Sequence, residues 1–359
     1  MTGADDDVAA RAHAAAAAWG WTDATLRPLA GGLINATFVV VRGAEPIAVL
    51  QRLHPVFAPE VNLDIDAITR AVAAAGVPTP RLIRTRAGEA WLGDGARSWR
   101  ALTFEPGVAV ARVPGPAWAE AGAALIARWH RAVDGLHHDY HFARAGVHDT
   151  AAHLHRLADG YARWRAGAIG PVADGDAAVL AEAGTLAAAI AAAAASLPPL
   201  PPVPPRHCHG DLKISNLLFT GGGAGTAPAG HCLVDLDTVG WAPLTFELGD
   251  AMRSWCNPHG EDAGAVGFEL PLFAAAMRGY RDVAGRLDDA HRLAVVAGLH
   301  TVCIELAARF AADVFEDRYF GWDPARFPTR RAHNLVRARG QLALAAAVAA
   351  AWDDALALT

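Results

Sequence analysis

The chain has 359 residues, of which 53% are hydrophobic and 19% are charged, and its formal net charge is −6. This length and composition allow a sizeable buried core, so intrinsic disorder is excluded. The charge balance argues against nucleic acid or an acidic membrane as a partner. Of the 31 basic side chains, only Lys213 is a lysine. A chain rich in alanine and arginine is typical of a GC-rich genome, and a lysine retained in that background indicates a chemical requirement.

Three features predict a cytoplasmic protein: the acidic N-terminus, the short apolar runs and the spacing of the cysteines. Three aspartates (5–7) precede an alanine run, which is the opposite of a signal peptide. The longest apolar runs, 186–195 and 342–352, are mostly alanine and fall short of the roughly 20 strongly apolar residues of a membrane span. The four cysteines lack close C-x-x-C spacing, which favours reduced thiols. We therefore expect no membrane association.

The first hundred residues predict strands around one helix. Residues 37–42 and 47–53 are apolar or β-branched runs that are separated by a short loop with glycine and proline, the pattern of a hairpin. Apolar residues at helical spacing predict a helix over 60–75, which a glycine and two prolines end. Two further strands are predicted at 81–84 and 98–104.

The chain changes character at residues 104–107, a predicted hinge between a lobe of residues 1–104 and a lobe of residues 105–359. Beyond the hinge, long Ala- and Leu-rich segments carry helical periodicity. These segments are residues 117–133, 150–167, 175–195, 265–283, 288–315 and 328–354. One non-helical stretch, 207–240, interrupts them.

That stretch carries polar residues in a pattern that suits phosphoryl chemistry. Asn216 precedes a predicted strand at 217–219, and Asp235 and Asp237 follow a second one at 232–234. An amide and two carboxylates at the ends of paired strands converge on one point, and these oxygens suit Mg²⁺ bound together with substrate phosphates. Asp211 lies outside this set and is placed to accept a proton from a hydroxyl, with Lys213 beside it to meet phosphoryl charge.

The pattern HGDLKxxN…DxD, here with Asp211, Asn216 and Asp235, resembles the catalytic and metal-binding loops of kinase-like folds. The continuation FELGDAMR at 246–253 is similar to the aminoglycoside phosphotransferase superfamily of small-molecule kinases. The resemblance implies a two-lobed, protein-kinase-like α+β fold with a small β-rich N-lobe that binds the nucleotide and a larger helical C-lobe that binds the acceptor. It also implies ATP and Mg²⁺ as cofactors.

Further segments resemble the N-acetylhexosamine 1-kinase branch of that superfamily. They are GGLINATF, VLQRLHPVF, SWRALTF, VHDT and VDLDTVG. The branch phosphorylates the anomeric hydroxyl of N-acetylated hexosamines, so the resemblance implies a sugar as the acceptor.

The resemblance also implies roles for single residues. Asp211 would orient or deprotonate the acceptor hydroxyl, Asn216 and Asp235 would hold Mg²⁺, and Lys213 would stabilise γ-phosphate charge in the transition state. Asp237 would support the metal, directly or through water.

Other positions would support the nucleotide or the catalytic loop. Gly31 and Gly32 would bring backbone N–H groups to the phosphates, and Asn35, Thr103 and Glu105 are further candidates for the nucleotide site. In the C-lobe, His209 would hold the loop by a hydrogen bond and Asp250 would brace it, whereas Arg253 either reaches the substrate or forms a surface salt bridge.

One departure from kinases concerns the nucleotide-binding strand. Kinases place a lysine there to hold the α- and β-phosphates, paired to a helix glutamate. This chain has Gln51 and Arg52 instead, of which alternation lets only one face the nucleotide, and we favour Arg52 because of its charge. The acidic partner on the helix is either Glu60 or Asp64.

Other functions remain open from the sequence. The run from His207 to Asp211 matches the HxHxD start of some binuclear metal hydrolases, but the next residue is leucine where that motif commonly has histidine. One alternative is a pseudokinase-type binding module. Another is a kinase for homoserine, a choline-like alcohol or an aminoglycoside. The acceptor, the choice of ATP or GTP and the oligomeric state are not encoded in these motifs.

Overall fold

The computed structural model describes the chain except for residues 1–2, 30–34, 144, 171, 173–174 and 224. Its strands are β1 (Thr25–Pro28), β2 (Ala36–Arg42), β3 (Glu45–Arg52), β4 (Leu82–Ile83), β5 (Leu92–Asp94), β6 (Arg97–Thr103), β7 (Val108–Ala109), β8 (Pro205–Cys208), β9 (Leu217–Thr220), β10 (Ala229–Leu233) and β11 (Gly240–Pro243). Its helices are α1 (Gly3–Ala16), α2 (Val61–Ala74), α3 (Pro116–Val133), α4 (Thr150–Arg165), α5 (Asp176–Ala195), α6 (Leu244–Trp255), α7 (Leu270–Ala284), α8 (Asp289–Glu316), α9 (Arg330–Ala350) and α10 (Trp352–Leu358).

The chain divides into two compact units. Unit 1 contains residues 1–108, 125–143 and 216–240, and unit 2 contains residues 109–124, 144–215 and 241–359. The first crossing falls beside the predicted hinge at 104–107, but two later segments return to unit 1. The second of these segments carries Asn216, Asp235 and Asp237, so the predicted metal ligands lie in the unit that contains the N-terminal sheet.

Unit 1 is built on an antiparallel sheet with the order β1-β2-β3-β6-β4, in which β5 also pairs with β6. The predicted hairpin is present as β2 and β3, with Gly43 in the left-handed conformation that its tight turn requires. Apolar side chains on one face of the sheet, including Phe38, Leu50 and Trp99, pack against α1. Sequence periodicity does not reveal α1, because its buried face consists mainly of alanines, which differ little in hydrophobicity from the residues on its exposed face.

Unit 2 is a helical assembly around α8, which packs against α4, α5, α6 and α9. Several helices begin where a polar side chain accepts the first free backbone N–H groups. Asp149, Asp288 and Thr329 cap α4, α8 and α9 in this way. These caps explain why the predicted starts of the three helices agree with the structure to within about two residues.

The contact between α6 and α8 depends on two glycines that let the helix backbones touch. A Cβ on Gly298 of α8 would lie 2.0 Å from the Thr245 carbonyl oxygen of α6, and one on Gly249 of α6 would lie 2.7 Å from the Gly298 backbone. This close approach fixes α6, the helix that follows the predicted catalytic region.

Among the described residues, two helices, α5 and α8, are long and apolar enough to cross a membrane by length and composition alone, which corrects the expectation that no segment reaches that threshold. For α8, 89% of the apolar window is buried inside the protein, as befits a central core helix. For α5 the buried share is 28%, and alanine supplies most of its hydropathy.

Substitution of Gly298 tests the close packing of α6 on α8. We expect Gly298→Ala to lower the free energy of unfolding by about 1–3 kcal/mol, because the new methyl group overlaps a backbone oxygen. Gly340→Ala is the matched control: this helical glycine in α9 has its nearest neighbour at 3.6 Å, so the better helix propensity of alanine should leave stability unchanged or raised. Urea denaturation measures both, and equal stability of the two variants would contradict the packing argument.

Candidate active site

The predicted catalytic loop runs from His209 to the short 3₁₀ turn Ile214–Asn216 between β8 and β9. Gly210 takes a left-handed conformation that turns the chain out of β8. The buried carboxylate of Glu247, near the start of α6, accepts the backbone N–H groups of His209 at 2.7 Å and of Gly210 at 2.9 Å. One acidic side chain thus satisfies two backbone donors that the turn exposes.

A second contact from α6 holds the middle of the loop. The indole Nε1 of Trp255 donates to the Leu212 carbonyl oxygen at 2.8 Å, and both residues are buried. Within the loop, the buried His209 accepts the Asp211 backbone N–H on Nδ1 at 3.3 Å, a contact that suits the loop-holding role expected for it. The backbone of the loop is therefore fixed from one helix.

The side chains that could take part in chemistry, Asp211 and Lys213, remain accessible on this fixed backbone. Lys213 Nζ lies 2.6 Å from Asp211 Oδ2, with 41% and 31% of the two side chains exposed. An ion pair of this kind orients the carboxylate and keeps a positive charge next to it. The loop thus presents an acceptor for a proton and a cation for a phosphoryl group at one place.

Asp250 has a different partner from the one expected. Its carboxylate accepts a hydrogen bond from Arg253 Nε at 2.7 Å, while Glu247, one helical turn earlier, braces the catalytic loop. Burial raises the pKa of Asp250, but the charge and hydrogen bond of Arg253, with His148 and Arg309 adding to them, outweigh burial and hold that pKa below its usual value. Arg253 also pairs with Glu261, so its guanidinium is fixed between two carboxylates.

The predicted metal ligands Asn216 and Asp235 lie at adjacent ends of β9 and β10. The strands are antiparallel, with Leu217 opposite Leu233, and the Asn216 carbonyl oxygen accepts the Val234 N–H at 2.9 Å. Asp235 is exposed and takes a left-handed backbone conformation with φ of 64°, which is uncommon for a residue other than glycine. An amide and a carboxylate in this position are hard oxygen donors that fit Mg²⁺.

Asp237 is placed differently from Asp235. It is 1% exposed, and Arg100 donates to both of its carboxylate oxygens, with the Nη2 to Oδ2 bond at 3.0 Å. Asn35 Nδ2 donates to the same Oδ2 at 2.6 Å. The Asp237 carboxylate is therefore bound by Arg100 of the N-terminal sheet and by Asn35 just before β2. The Asn35 side chain, which was predicted to bind the nucleotide, is thus engaged with Asp237.

The register of β3 decides between Gln51 and Arg52. Gln51 is opposite Arg100 of β6, and its Oε1 accepts the Arg100 Nε–H at 2.9 Å, so Gln51 shares a face of the sheet with Asp237. Arg52 lies on the other face, where it pairs with Asp94 at 2.7 Å and stacks over Trp99. This corrects the preference for Arg52, because charge favoured it but strand alternation directs it away.

Neither Glu60 nor Asp64, the two candidates for the acidic partner, pairs with β3. Asp64 is fully buried and accepts hydrogen bonds from the rings of His138 and His141 and from the backbone of His141 and Phe142. Glu60 is exposed at the start of the helix. Asp64 therefore anchors the segment that follows α3.

The remaining predicted nucleotide residues have simpler surroundings. Thr103 Oγ1 accepts the Arg81 N–H at 2.9 Å, and Glu105 Oε2 lies 3.4 Å from His231 Nε2. Gly31 and Gly32 lie outside the described residues.

Three functional positions were missed from the sequence: Glu247, Trp255 and Arg100. Glu247 lies within the FELGD segment that signalled the superfamily, but spacing alone did not separate its role from that of Asp250. Arg100 is a charged residue between the apolar Trp99 and Ala101 of β6, a signal that was available in the sequence.

The fold matches solved kinases along almost the whole chain. A choline/ethanolamine kinase family protein from Mesorhizobium loti is 19% identical, with 99% of this chain and 98% of that one covered and a TM-score of 0.58. A microcompartment-associated aminopropanol kinase is 18% identical, with 94% and 95% covered and a TM-score of 0.59. The amicoumacin kinase in complex with AMP-PNP and Ca²⁺ is 15% identical, with 89% and 88% covered and a TM-score of 0.57.

These likenesses confirm the kinase-like fold, with its antiparallel N-terminal sheet and mostly helical remainder. The sequence itself matches the phosphotransferase enzyme family (APH) over residues 25–328. With Asp211, Lys213, Asn216 and Asp235 positioned as described, the chain belongs to this family and is a phosphotransferase that acts on an alcohol group.

Proposed function

We propose that the protein transfers the γ-phosphoryl group of ATP to a sugar hydroxyl, most specifically the anomeric hydroxyl of an N-acetylhexosamine or a related hexose. The observation that carries phosphoryl transfer is the accessible Asp211–Lys213 pair on a loop whose backbone is held by the buried Glu247. Phosphoryl transfer requires mainly positioning and electrostatic stabilisation, and this loop supplies both.

Two side chains carry the reaction on the protein side. Asp211 accepts the proton of the acceptor hydroxyl as its oxygen attacks the γ-phosphorus, while the bond from that phosphorus to the bridging oxygen of ADP breaks. Lys213 offers a compact ammonium to the charge on the transferring group.

Asn216 and Asp235 would hold Mg²⁺, which when bound neutralises charge on the phosphate oxygens. The Asn216 side chain is buried and Asp235 is exposed, and both offer the oxygen donors that this ion takes. The amicoumacin kinase, which is in complex with AMP-PNP and Ca²⁺, supports a nucleotide and a divalent cation here by analogy.

A pocket in unit 2 supports a sugar as the acceptor. Its volume is about 160 Å³. Its lining residues are Ala145, Gly146, Val147, His153, Arg156, Arg309, Tyr319 and Phe320. Apolar and aromatic side chains surround a few polar groups in this lining, as in many small-ligand sites.

The position of the pocket relates it to the catalytic loop through α6. His148, next to the lining residue Val147, stacks on Phe246 with ring centroids 4.3 Å apart, and Phe246 precedes Glu247. Asp250, one turn further along α6, is electrostatically coupled to the lining residue Arg309. The helix that holds the loop thus contacts His148, which adjoins the pocket lining in sequence.

The charge of the pocket disfavours a cationic acceptor. Its basic lining side chains are two arginines and a histidine, and no carboxylate is among the eight described lining residues. Arg156 lies over the Tyr319 ring at 5.8 Å and Arg309 over the Phe320 ring at 5.7 Å. The aromatic faces that would attract a quaternary ammonium already have cations over them.

Arg309 is suited to recognise oxygen atoms of an uncharged sugar. Within the described part of the chain, its guanidinium donates no hydrogen bond, whereas Arg156 is held by Glu316 at 2.7 Å. A guanidinium offers donors and no acceptor, so hydroxyl and amide carbonyl oxygens are its natural partners.

The cysteines support our proposal of a cytoplasmic location. All four are free and buried. Burial raises the pKa of each thiol, that of Cys303 to about 12, so these thiols are unreactive.

An ATP-consumption screen with Mg²⁺ tests the proposal across N-acetylhexosamines, hexoses, homoserine, choline, aminopropanol and aminoglycosides. We expect turnover with an N-acetylhexosamine or a related hexose, and phosphate at C1 by NMR. Turnover only with the amino alcohols or aminoglycosides would overturn the sugar assignment, and no turnover with any acceptor would favour a binding module.

Asp211→Asn should remove catalysis without unfolding the protein. We expect kcat to fall by at least about 10², the usual lower range of a general-base contribution, with an unchanged melting temperature. Steady-state kinetics with the best acceptor of the screen provide the measurement, and near wild-type turnover would exclude Asp211 from the proton transfer.

Lys213→Arg should lower kcat much more than it raises the KM for ATP. A planar guanidinium keeps the charge but does not reproduce the compact ammonium at the transferring group. The comparison of kcat with KM is decisive, since an unchanged kcat would show that charge alone suffices at this position.

Arg309→Gln should raise the acceptor KM by about tenfold while the KM for ATP stays the same, because one charge-assisted contact to the acceptor is lost. Arg339→Gln is the matched control, since Arg339 is half-exposed and pairs with Glu182 on the surface. An unchanged acceptor KM in Arg309→Gln would place the acceptor outside this pocket.

A further inference from the structure

A buried arginine lies beside the strand position that lacks a lysine. Arg100 of β6 is 1% exposed and is the direct cross-strand partner of Gln51 in β3. Directly opposed residues point to the same face of a sheet. The positive charge on this face of the sheet therefore comes from β6, next to the β3 position that carries Gln51.

Each nitrogen of the Arg100 guanidinium donates to a defined acceptor. Nη1 and Nη2 bind the two carboxylate oxygens of Asp237, and Nε binds Gln51 Oε1 at 2.9 Å. Gln51 is oriented in turn by its Nε2, which donates to Thr37 Oγ1 at 3.2 Å. Three of the five guanidinium N–H groups thus hold neighbouring side chains in place.

Asp237 is held from a second direction by the residue before β2. Asn35 Nδ2 donates to Asp237 Oδ2 at 2.6 Å, and Asn35 Oδ1 accepts the His54 backbone N–H at 2.8 Å. Two side chains therefore clamp one carboxylate to the ends of the β2–β3 hairpin and to β6.

The clamped carboxylate is two residues from the exposed Asp235. Leu236 between them is buried, and Asp235 has a left-handed backbone with φ of 64°. Such a conformation persists in a residue other than glycine only where the surrounding structure enforces it. Burial of Leu236 and the clamp on Asp237 provide that enforcement on the C-terminal side of Asp235.

We propose that Arg100 is a positioning residue of the metal site, which through its two-point grip on Asp237 holds Asp235 in the conformation that presents its carboxylate to the cation. The inference rests on the proposed function of Asp235 as a ligand of the divalent ion. It assigns Asp237 a structural part in the site in place of metal coordination. Lysine would not replace Arg100, because an ammonium is a point charge that cannot span both Asp237 oxygens and Gln51.

Mn²⁺ binding in the presence of saturating AMP-PNP, followed by electron paramagnetic resonance, tests this role. In Arg100→Lys we expect the Mn²⁺ affinity to fall by about tenfold or more, the range seen when outer-shell partners of metal ligands are changed. The affinity for AMP-PNP without metal should stay the same. Arg42→Lys is the matched control, since Arg42 is half-exposed in the same sheet and pairs with Asp23.

A double variant keeps the test valid if Arg100→Lys folds poorly. Arg100→Gln with Asp237→Asn replaces the buried ion pair by two neutral amides, which avoids an unpaired buried charge. We expect its melting temperature to lie near that of the wild type while its Mn²⁺ affinity stays reduced by about tenfold, a split that a purely structural role would not produce.

Three outcomes would overturn the inference. Wild-type Mn²⁺ affinity in either folded variant would show that the clamp does not position Asp235. Higher affinity in Arg100→Lys would show that Asp237 is itself a ligand restrained by the arginine. If the wild-type protein bound AMP-PNP but no Mn²⁺, the proposed metal site would fail and the inference with it.

Discussion

The predicted catalytic loop depends on one buried carboxylate. Glu247 accepts two successive backbone N–H groups, those of His209 and Gly210, where the chain leaves β8. Without this acceptor, two backbone donors would lose their partner, and at the buried His209 that loss is costly. The position of Glu247 follows from α6, which lies against α8 because Gly249 and Gly298 let the two backbones meet. Helix packing thus fixes the place of Asp211.

Unit 1 uses the same principle for its own polar loop. A buried charged residue, Asp237, is tied down by Arg100, and its near neighbour Asp235 is left exposed. In both loops the carboxylate that fixes the backbone, Glu247 or Asp237, is buried. The carboxylate proposed to take part in chemistry, Asp211 or Asp235, is accessible. This separation leaves the carboxylates of Asp211 and Asp235 accessible on held backbones, which reduces the ordering that binding of a ligand would require.

The basic residues of the chain divide according to geometry. Arginine occurs where a flat fork can hold a carboxylate or lie on an aromatic ring, as in Arg100 on Asp237 and Arg309 on Phe320. Lys213 is the exception, and its partly exposed ammonium pairs with Asp211 as a compact point charge. The composition therefore indicated the one position at which a guanidinium was not used.

The sequence by itself determined the features that local signals encode. The β2–β3 hairpin, α2 and the long helices of unit 2 follow from periodicity, turn residues and caps, and the order of Asp211, Asn216 and Asp235 along the chain identified the family. Helix α1 was not predicted because its buried face is mostly alanine, so its two faces differ little in hydrophobicity. The tertiary structure alone decided which side chains meet: Gln51 rather than Arg52 faces Arg100. For the same reason, only packing showed which acid of α6 holds the catalytic loop, because strand register and helix rotation depend on contacts between residues far apart in sequence.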